Sequence, residues 1–214
     1  MDPFDPKTMQ RTYDRVAEEY DLAFGHDLDR LAFDRRFLDD FGAVVRGTAT
    51  VIDVGCGPGQ VAAYLTAGGV AAVGADIAPR MLEIARRRRN VPGMAADFRR
   101  LPVREGSCAG IVAFYALPFI RREELVPVLG ELRRVIRSGG VLAVAIHLGR
   151  GEVHGDAEWL GRVVDPIAAT LFTEGEFSAA LAAARFETVE VCHREPLPHE
   201  HQGPRLYVQA KASR

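Results

Sequence analysis

The nine residues VIDVGCGPG, Val51 to Gly59, decide how this chain is read. VIDV is a short, β-branched, nearly continuous apolar run, the pattern of a strand covered on both faces. Asp53 stands at its end, and Gly55, Gly57 and Gly59 alternate behind it. Glycine lets the backbone turn without a Cβ clash and lets a ligand lie against it. In an open α/β sheet such a turn falls at the carboxyl edge, where ligands bind. A second acid, Asp76, ends the next apolar run, VAAVGAD, 21 residues after Gly55. That spacing suits a carboxylate gripping two ribose hydroxyls.

Two cofactors compete for this arrangement. A dinucleotide site wants G-x-G-x-x-G, with its pyrophosphate at a helix N-terminus. Counted from Gly55, the third glycine would be residue 60, and the chain has Gln60 there. It reads D-x-G-x-G-x-G instead. Asp53 is an unfavourable neighbour for a pyrophosphate but suits the ammonium of an amino acid. The pattern fits a nucleoside joined to an amino acid better than NAD.

Outward from this turn, strand and helix signals alternate. VAAYLTAG reads as a helix ended by Gly68-Gly69, and MLEIARRRR as a helix opened by Pro79. GMAAD, AGIVAFYAL and VLAVAIH read as strands. ELVPVLGELRRVIR reads as a helix closed by Ser138-Gly139-Gly140. Such alternation predicts a parallel sheet with helices on both faces. Before it, Tyr13, Val16, Ala17, Tyr20 and Phe24 recur at helical spacing, as do Leu31, Phe33, Phe37, Leu38, Phe41 and Val45. After it, residues 148–172 show no clear period. EGEFSAALAAA is a helix, and FETVEVCH and RLYVQAKA are two closing strands with no crossover helix between them. The fold class expected is α/β: a Rossmann-like doubly wound sheet, mostly parallel, with an antiparallel C-terminal strand and an N-terminal helical lid. One domain over 1–214 divides into a lid (1–47), a cofactor-binding core (48–147), an acceptor-cap insertion (148–172) and a closing helix and strands (173–214).

Composition narrows the class. The chain has 214 residues, 27 Lys and Arg against 29 Asp and Glu, and 48% apolar residues. That is globular usage, which excludes disordered, collagen-like and coiled-coil chains. A net charge of −2 argues against a general nucleic-acid binder. Cys56, Cys108 and Cys192 are widely separated, which points to a reducing compartment and no zinc cluster. The polar start MDPFDPKTMQ carries no apolar targeting segment, so a soluble cytoplasmic protein without membrane partners is expected.

With VIDVGCGPG and the two acids in place, the sequence resembles the class I S-adenosylmethionine-dependent methyltransferases of the small type-11/type-25 kind. The resemblance covers about residues 10–147. It implies S-adenosyl-L-methionine as cofactor, with Asp53, Gly55, Cys56, Gly57 and Gly59 at its methionine end. It places Asp76, in VGADIAP, on the ribose and Ile77 beside the adenine. Asp97, in AADFRRLP, would contact the adenine amino group, and Phe98 would line that pocket. YDRVAEEYD, with Tyr13 and Tyr20, is similar to the family's N-terminal lid. Met81, Phe114 and Tyr115 complete the cofactor set the resemblance implies. Two departures stand out. The strand AGIVAFYAL lacks the acid that usually opens it, and no N/D-PPY sequence follows it. The second absence favours a small-molecule acceptor over DNA or protein amino groups.

The remaining candidates lie on the acceptor side. His147 ends a strand at the carboxyl edge, where a general base would face the cleft, with His154 second. The alternative for His147 is a hydrogen-bonded strand-end histidine. Trp159, in VHGDAEWLG, is expected in the acceptor cap or as its packing anchor, and Arg205 would pair with an acceptor carboxylate or phosphate. His199-Glu200-His201 resembles a metal-ligand cluster, but i, i+2 loop histidines are weak evidence, so no metal is expected. Residues 80–104 hold eight Arg against Glu83 and Asp97, and residues 148–203 hold ten acids against four Arg. The run Arg86–Arg89 is expected to be a solvated helix end. The function expected is methyl transfer from S-adenosylmethionine to a small-molecule acceptor by in-line displacement. An RNA methyltransferase using the basic stretch, or a non-catalytic binding protein of this fold, are the alternatives.

Overall fold

The computed structural model describes residues 2–198, 200 and 203–213. Two helices come first, α1 (Pro6–Phe24) and α2 (Ala32–Val45). Asp5 caps α1 by accepting the Thr8 N–H at 3.0 Å, and Pro6 follows at the position where its missing donor costs nothing. The alternating core follows: β1 (Val51–Val54), α3 (Gln60–Ala67), β2 (Ala72–Asp76), α4 (Pro79–Arg89), β3 (Gly93–Ala95), β4 (Cys108–Phe114), α5 (Leu125–Val135) and β5 (Ile136–His147). Four short strands come next, β6 (Glu152–His154), β7 (Glu158–Trp159), β8 (Arg162–Val163) and β9 (Ala168–Thr170). The chain closes with α6 (Glu174–Ala183), β10 (Phe186–Arg194) and β11 (Arg205–Ala212).

Seven strands form one sheet in the order β10-β11-β5-β4-β1-β2-β3. The first five strands pair in parallel, and β11 inserts antiparallel between β5 and β10. This is the expected α/β class with its antiparallel C-terminal strand. Because side chains alternate across a strand, each strand feeds both faces. Ile52, Ile111, Leu142 and Val144 pack against Leu129 and Leu132 of α5 and Phe177 and Leu181 of α6. Val51, Val112, Ala143 and Tyr207 pack against Phe37, Leu38 and Phe41 of α2 and Leu65 of α3. Truncating a fully buried ring such as Phe41 costs about 3–5 kcal/mol.

Two segments differ from the sequence reading. The helix expected through residue 137 ends at Val135, and β5 begins at Ile136. Two β-branched residues end the helical turn there, and Ile136 is buried opposite Cys108. Gly139 takes a φ of 73°, and the register shifts between Cys108 and Gly110. Residues 148–172, which show no sequence period, form two small antiparallel ribbons, β6–β9 and β7–β8. Strands of two or three residues are too short to carry a period. Among the described residues no helix is long and apolar enough to cross a membrane.

Candidate cofactor and acceptor site

The glycine turn leaves β1 at the carboxyl edge. Gly55 takes a φ of 64°, and a Cβ there would stand 2.5 Å from the Ala116 Cβ. Gly59 takes a φ of 87°, and its Cβ would stand 2.8 Å from that of Ala85. No other residue fits either place. Asp53 is buried, and its Oδ2 accepts the Ala62 N–H at 3.1 Å, which ties β1 to the start of α3. Burial pushes its carboxyl up to about 8, against that hydrogen bond and with help from the Asp76 charge. Asp76 accepts the Gly57 N–H at 2.8 Å on Oδ2 and the Ala78 N–H at 2.8 Å on Oδ1. Burial pushes it up to about 6, with both N–H groups opposing. A carboxylate has about four lone-pair sites. Two are filled, so Asp76 keeps capacity for two hydroxyls.

Gln60 adds a residue that sequence reasoning missed. Its Oε1 is buried and has no hydrogen-bond partner among the described residues. A buried unmade hydrogen bond costs about 1–3 kcal/mol, and a ligand hydroxyl or ammonium at the turn would remove that cost. The residue stands where a dinucleotide turn would carry glycine, and that mismatch hid its own acceptor atom.

The other cofactor candidates divide. The Cys56 thiol is buried between Gly74 of β2 and the turn, where it donates to the Gly57 carbonyl at 3.6 Å. Met81 is buried beneath Tyr13 and Tyr20. Ile77 packs with Phe4, Met9 and Phe119. Asp97 accepts the Arg99 N–H at 2.9 Å and faces the Arg99 guanidinium at 3.3 Å, so an adenine amino group would share it with that cation. The guanidinium also lies over the Phe98 ring, 5.7 Å from its centroid.

Above the turn, α1 lays its tyrosines. The Tyr20 ring would stand 3.9 Å from a Cβ on Gly57. Tyr13 and Tyr20 meet edge to face at 5.9 Å, and Trp159 meets them at 5.5 and 5.7 Å. Trp159, expected at the acceptor, therefore completes the aromatic cover over the turn. Its β7–β8 ribbon is held to α1 by Arg162–Glu19 at 2.5 Å, and the next loop by Arg11–Asp165 at 2.7 Å.

The arginine run ends α4 as expected, and it also pairs with α1. Arg87 and Arg88 bind Glu18 at 2.6 and 2.5 Å, and Arg88 and Arg89 both bind Asp21. Arg89 further donates to the Gly25 and Pro58 carbonyls at 2.9 and 3.0 Å. Glu18 and Asp21 lie three apart on one helical face, so α1 presents a carboxylate pair to the end of α4. Arg87 and Arg88 pair with α1 while staying exposed, as a solvated helix end should, and only Arg89 is largely covered.

A second group gathers at the ends of β4, β5 and β11. Tyr115 follows β4 at a φ of 57°, a conformation that costs a bulky residue about 1–3 kcal/mol. Its ring lies against His147, centroids 4.9 Å apart, and its hydroxyl meets that of Tyr207 at 2.9 Å. Tyr207 donates to Asp34 of α2 at 2.9 Å. Arg194 donates to the Tyr207 oxygen at 3.2 Å, approaches Asp34 at 3.4 Å and forks onto Glu200 at 2.5 and 2.7 Å. Burial opposes the ionisation of Glu200, but the Arg194 fork holds it down at about 2. Burial pushes the Asp34 carboxyl upward, with Tyr207 and Arg194 opposing.

This group holds the other corrections. Phe114 packs against Phe37 and Tyr207, so it and Tyr115 belong here rather than with Asp53 and Asp76. Arg205, expected to hold an acceptor anion, is buried, donates to the Gly203 carbonyl at 3.0 Å and faces Glu200 at 3.6 Å. His147 does reach the carboxyl edge, opposite Arg205. His154 does not join it. It sits on β6, the exposed strand of the β6–β9 ribbon, 3.4 Å from Glu152. His199 and His201 lie outside the described residues.

Comparison with known proteins agrees with this geometry. Residues 51–140 match a methyltransferase-domain family. A demethylmenaquinone methyltransferase of Thermus thermophilus is 35% identical over 145 residues, 62% of this chain and 62% of that protein. A ubiquinone biosynthesis O-methyltransferase of Methylocella silvestris is 31% identical over 100 residues, 44% of this chain and 38% of that protein. The chain thus spans between about a third and two thirds of the length of these two relatives. Among solved structures, an S-adenosylmethionine-dependent methyltransferase from Methanosarcina mazei superposes with a TM-score of 0.71 at 16% identity, covering 80% of this chain and 95% of that one. A geranyl diphosphate C-methyltransferase from Streptomyces coelicolor, solved with S-adenosyl-L-homocysteine, superposes with a TM-score of 0.68 at 13% identity, covering 85% and 76%. Sheet order and glycine turn are those of the S-adenosylmethionine-dependent methyltransferase fold, and residues 51–140 carry a methyltransferase domain, whose family uses S-adenosyl-L-methionine.

Proposed function

We propose that this protein transfers the methyl group of S-adenosylmethionine to a small-molecule acceptor. The observation that carries the reading is Asp76, a buried carboxylate joined to Gly57 and Ala78, with lone pairs to spare for a ribose. Gln60 Oε1 supplies a second waiting acceptor at the same turn. Asp53 stands at the methionine end, where a cationic cofactor group would ionise its buried carboxyl, and Ile77, Asp97 and Phe98 surround the adenine end. When bound, the sulfonium supplies an already activated methyl group. The protein's task is alignment, worth at most about 7–11 kcal/mol. Tyr13, Tyr20 and Trp159 cover the turn and exclude water. Residues 148–172 form the cap over the acceptor, which lies at the ends of β4 and β5 beside Tyr115 and His147. A group to take a proton is needed there only for a neutral O–H or N–H acceptor.

The curated relatives support the small-molecule class by their names alone: the Thermus and Methylocella proteins are named for quinone methylation. Arg87, Arg88 and Arg89 of the basic stretch are spent on the lid, which weakens the RNA reading. Calorimetric titration with S-adenosylmethionine and S-adenosylhomocysteine tests the cofactor. Binding that is absent, or unchanged in Asp76→Ala, overturns the reading. Incubation with methyl-labelled cofactor and a metabolite extract, read by mass spectrometry, then identifies the acceptor.

A further inference from the structure

Ionisable side chains from distant parts of the chain meet at the carboxyl edge, and the hydrogen bonds among Asp34, Tyr115, Arg194 and Tyr207 have one direction. Asp34 is acceptor-only when ionised, so the Tyr207 proton points to it. The Arg194 Nε–H also points at the Tyr207 oxygen. Tyr207 has then no proton left for Tyr115, so the 2.9 Å contact between the hydroxyls is a bond from Tyr115 to Tyr207. The Tyr115 proton is committed inward. Toward any further partner, its oxygen can only accept.

We propose that Tyr115 receives the proton of the methyl acceptor and passes its own through Tyr207 to Asp34. This inference rests on the methyl-transfer reading and narrows its substrate class to acceptors bearing an O–H or N–H. The step balances. The acceptor O–H or N–H pair becomes the new bond to the methyl carbon, and the sulfur–methyl pair stays on a neutral thioether. The acceptor proton moves to the Tyr115 oxygen, the Tyr115 proton to Tyr207, and the Tyr207 proton to Asp34.

Placement supports the relay. Tyr115 is only partly buried, at the end of β4, in a left-handed conformation that turns its side chain toward Tyr207. Tyr207 is fully buried and Asp34 nearly so, which keeps bulk water off the path. Arg194 faces Asp34 from β10, Glu200 faces Arg194, and Arg205 faces Glu200, so the charges around the sink alternate in sign. His147 packs on the Tyr115 ring from β5 and holds it in place. In this arrangement Tyr115 is the catalytic residue, and Tyr207 and Asp34 act through it.

The test uses the whole protein, with Tyr115→Phe, Tyr207→Phe, Asp34→Asn and His147→Gln variants. Thermal denaturation and S-adenosylhomocysteine calorimetry first establish that each variant is folded and binds. Tyrosine 13Cζ NMR of the cofactor-free protein provides a readout apart from turnover. The relay expects the Tyr115 resonance to shift in both Tyr207→Phe and Asp34→Asn, because each breaks the chain downstream of it. Methyl-labelled S-adenosylmethionine with a metabolite extract gives the rate from pH 6 to 9. Tyr115→Phe and Asp34→Asn are expected to lose on the order of 10²-fold below pH 7. They should recover most of that at pH 9, where the acceptor ionises unaided. Rates that fall equally at every pH, an unmoved Tyr115 resonance, or a profile moved by His147→Gln alone overturn the relay. Label found only on carbon or sulfur overturns the relay and leaves methyl transfer standing. No label transfer by a wild-type protein that binds S-adenosylmethionine overturns both.

Discussion

The carboxylate of Asp76 accepts the Gly57 N–H at 2.8 Å, so the acid ending β2 braces the turn that follows β1. The same oxygen that shapes the turn borders the cofactor. Replacing Asp76 with alanine removes two buried charged hydrogen bonds at once. Each is worth about 1.5–3 kcal/mol. We expect at least about 10²-fold weaker S-adenosylhomocysteine binding by calorimetry, together with a lower Tm. Asp76→Asn should fall between this variant and the wild type.

The two buried acids set a pH slope. The folded carboxyl of Asp53 titrates near 8 and that of Asp76 near 6, against an ordinary 3.8 for both. Folded protein therefore binds more protons than unfolded protein across that window. The stability these two acids contribute is full below about pH 4, falls as pH rises toward 8, and is lost above. Asp53→Asn should flatten this slope and raise the Tm at pH 8 relative to the wild type. A cationic cofactor group near Asp53 would restore its charge, so binding should release protons. Calorimetry at pH 7 in buffers of different ionisation enthalpy reads that release.

Asp21 is buried and held by Arg88 and Arg89, and Arg89 also reaches the Pro58 carbonyl inside the glycine turn. Arg89→Ala leaves the Asp21 charge with one partner fewer. Breaking a buried pair in this way costs about 3–5 kcal/mol. We expect faster hydrogen exchange across α1 and weaker cofactor binding, with little change in the exchange of β4 and β5. Arg80→Ala, whose ion pair with Glu83 is exposed, should do almost nothing.

Trp159 is the chain's single tryptophan and lies against both lid tyrosines. Its emission should therefore change on titration with S-adenosylhomocysteine and report lid closure directly. In Arg162→Ala, which frees the β7–β8 ribbon from Glu19, the emission change should shrink while calorimetric binding persists. An unchanged signal in that variant would show that the ribbon does not follow the lid.

The sequence showed the parallel core because β-branched runs, glycine turns and amphipathic helices each carry a local signal. Asp53, Asp76 and Asp97 were legible for the same reason, since each stands within a few residues of a strand end. Contacts between distant segments left no such trace. The ion pairs of Arg87, Arg88 and Arg89 were not legible because their partners Glu18 and Asp21 lie on another helix. The hydrogen bond from Tyr207 to Asp34 joins positions 173 apart, and neither residue has a neighbour in sequence that points to the other. Arg205 looked free for a substrate because nothing near it in sequence announces Glu200 as its counter-ion.

Of the residues in the polar chain at the carboxyl edge, only Tyr115 falls within residues 51–140, the stretch that matches the methyltransferase domain. Asp34, His147, Arg194, Glu200 and Tyr207 come from the flanks. The molecule is thus separable by inheritance: recombination that exchanges α2 and the residues after 172 would transplant acceptor preference onto a retained glycine turn and its aromatic cover. A chimera carrying foreign residues 32–45 and 173–214, with α1, residues 51–140 and Trp159 kept, should bind the nucleoside as its parent does and methylate what the donor methylates.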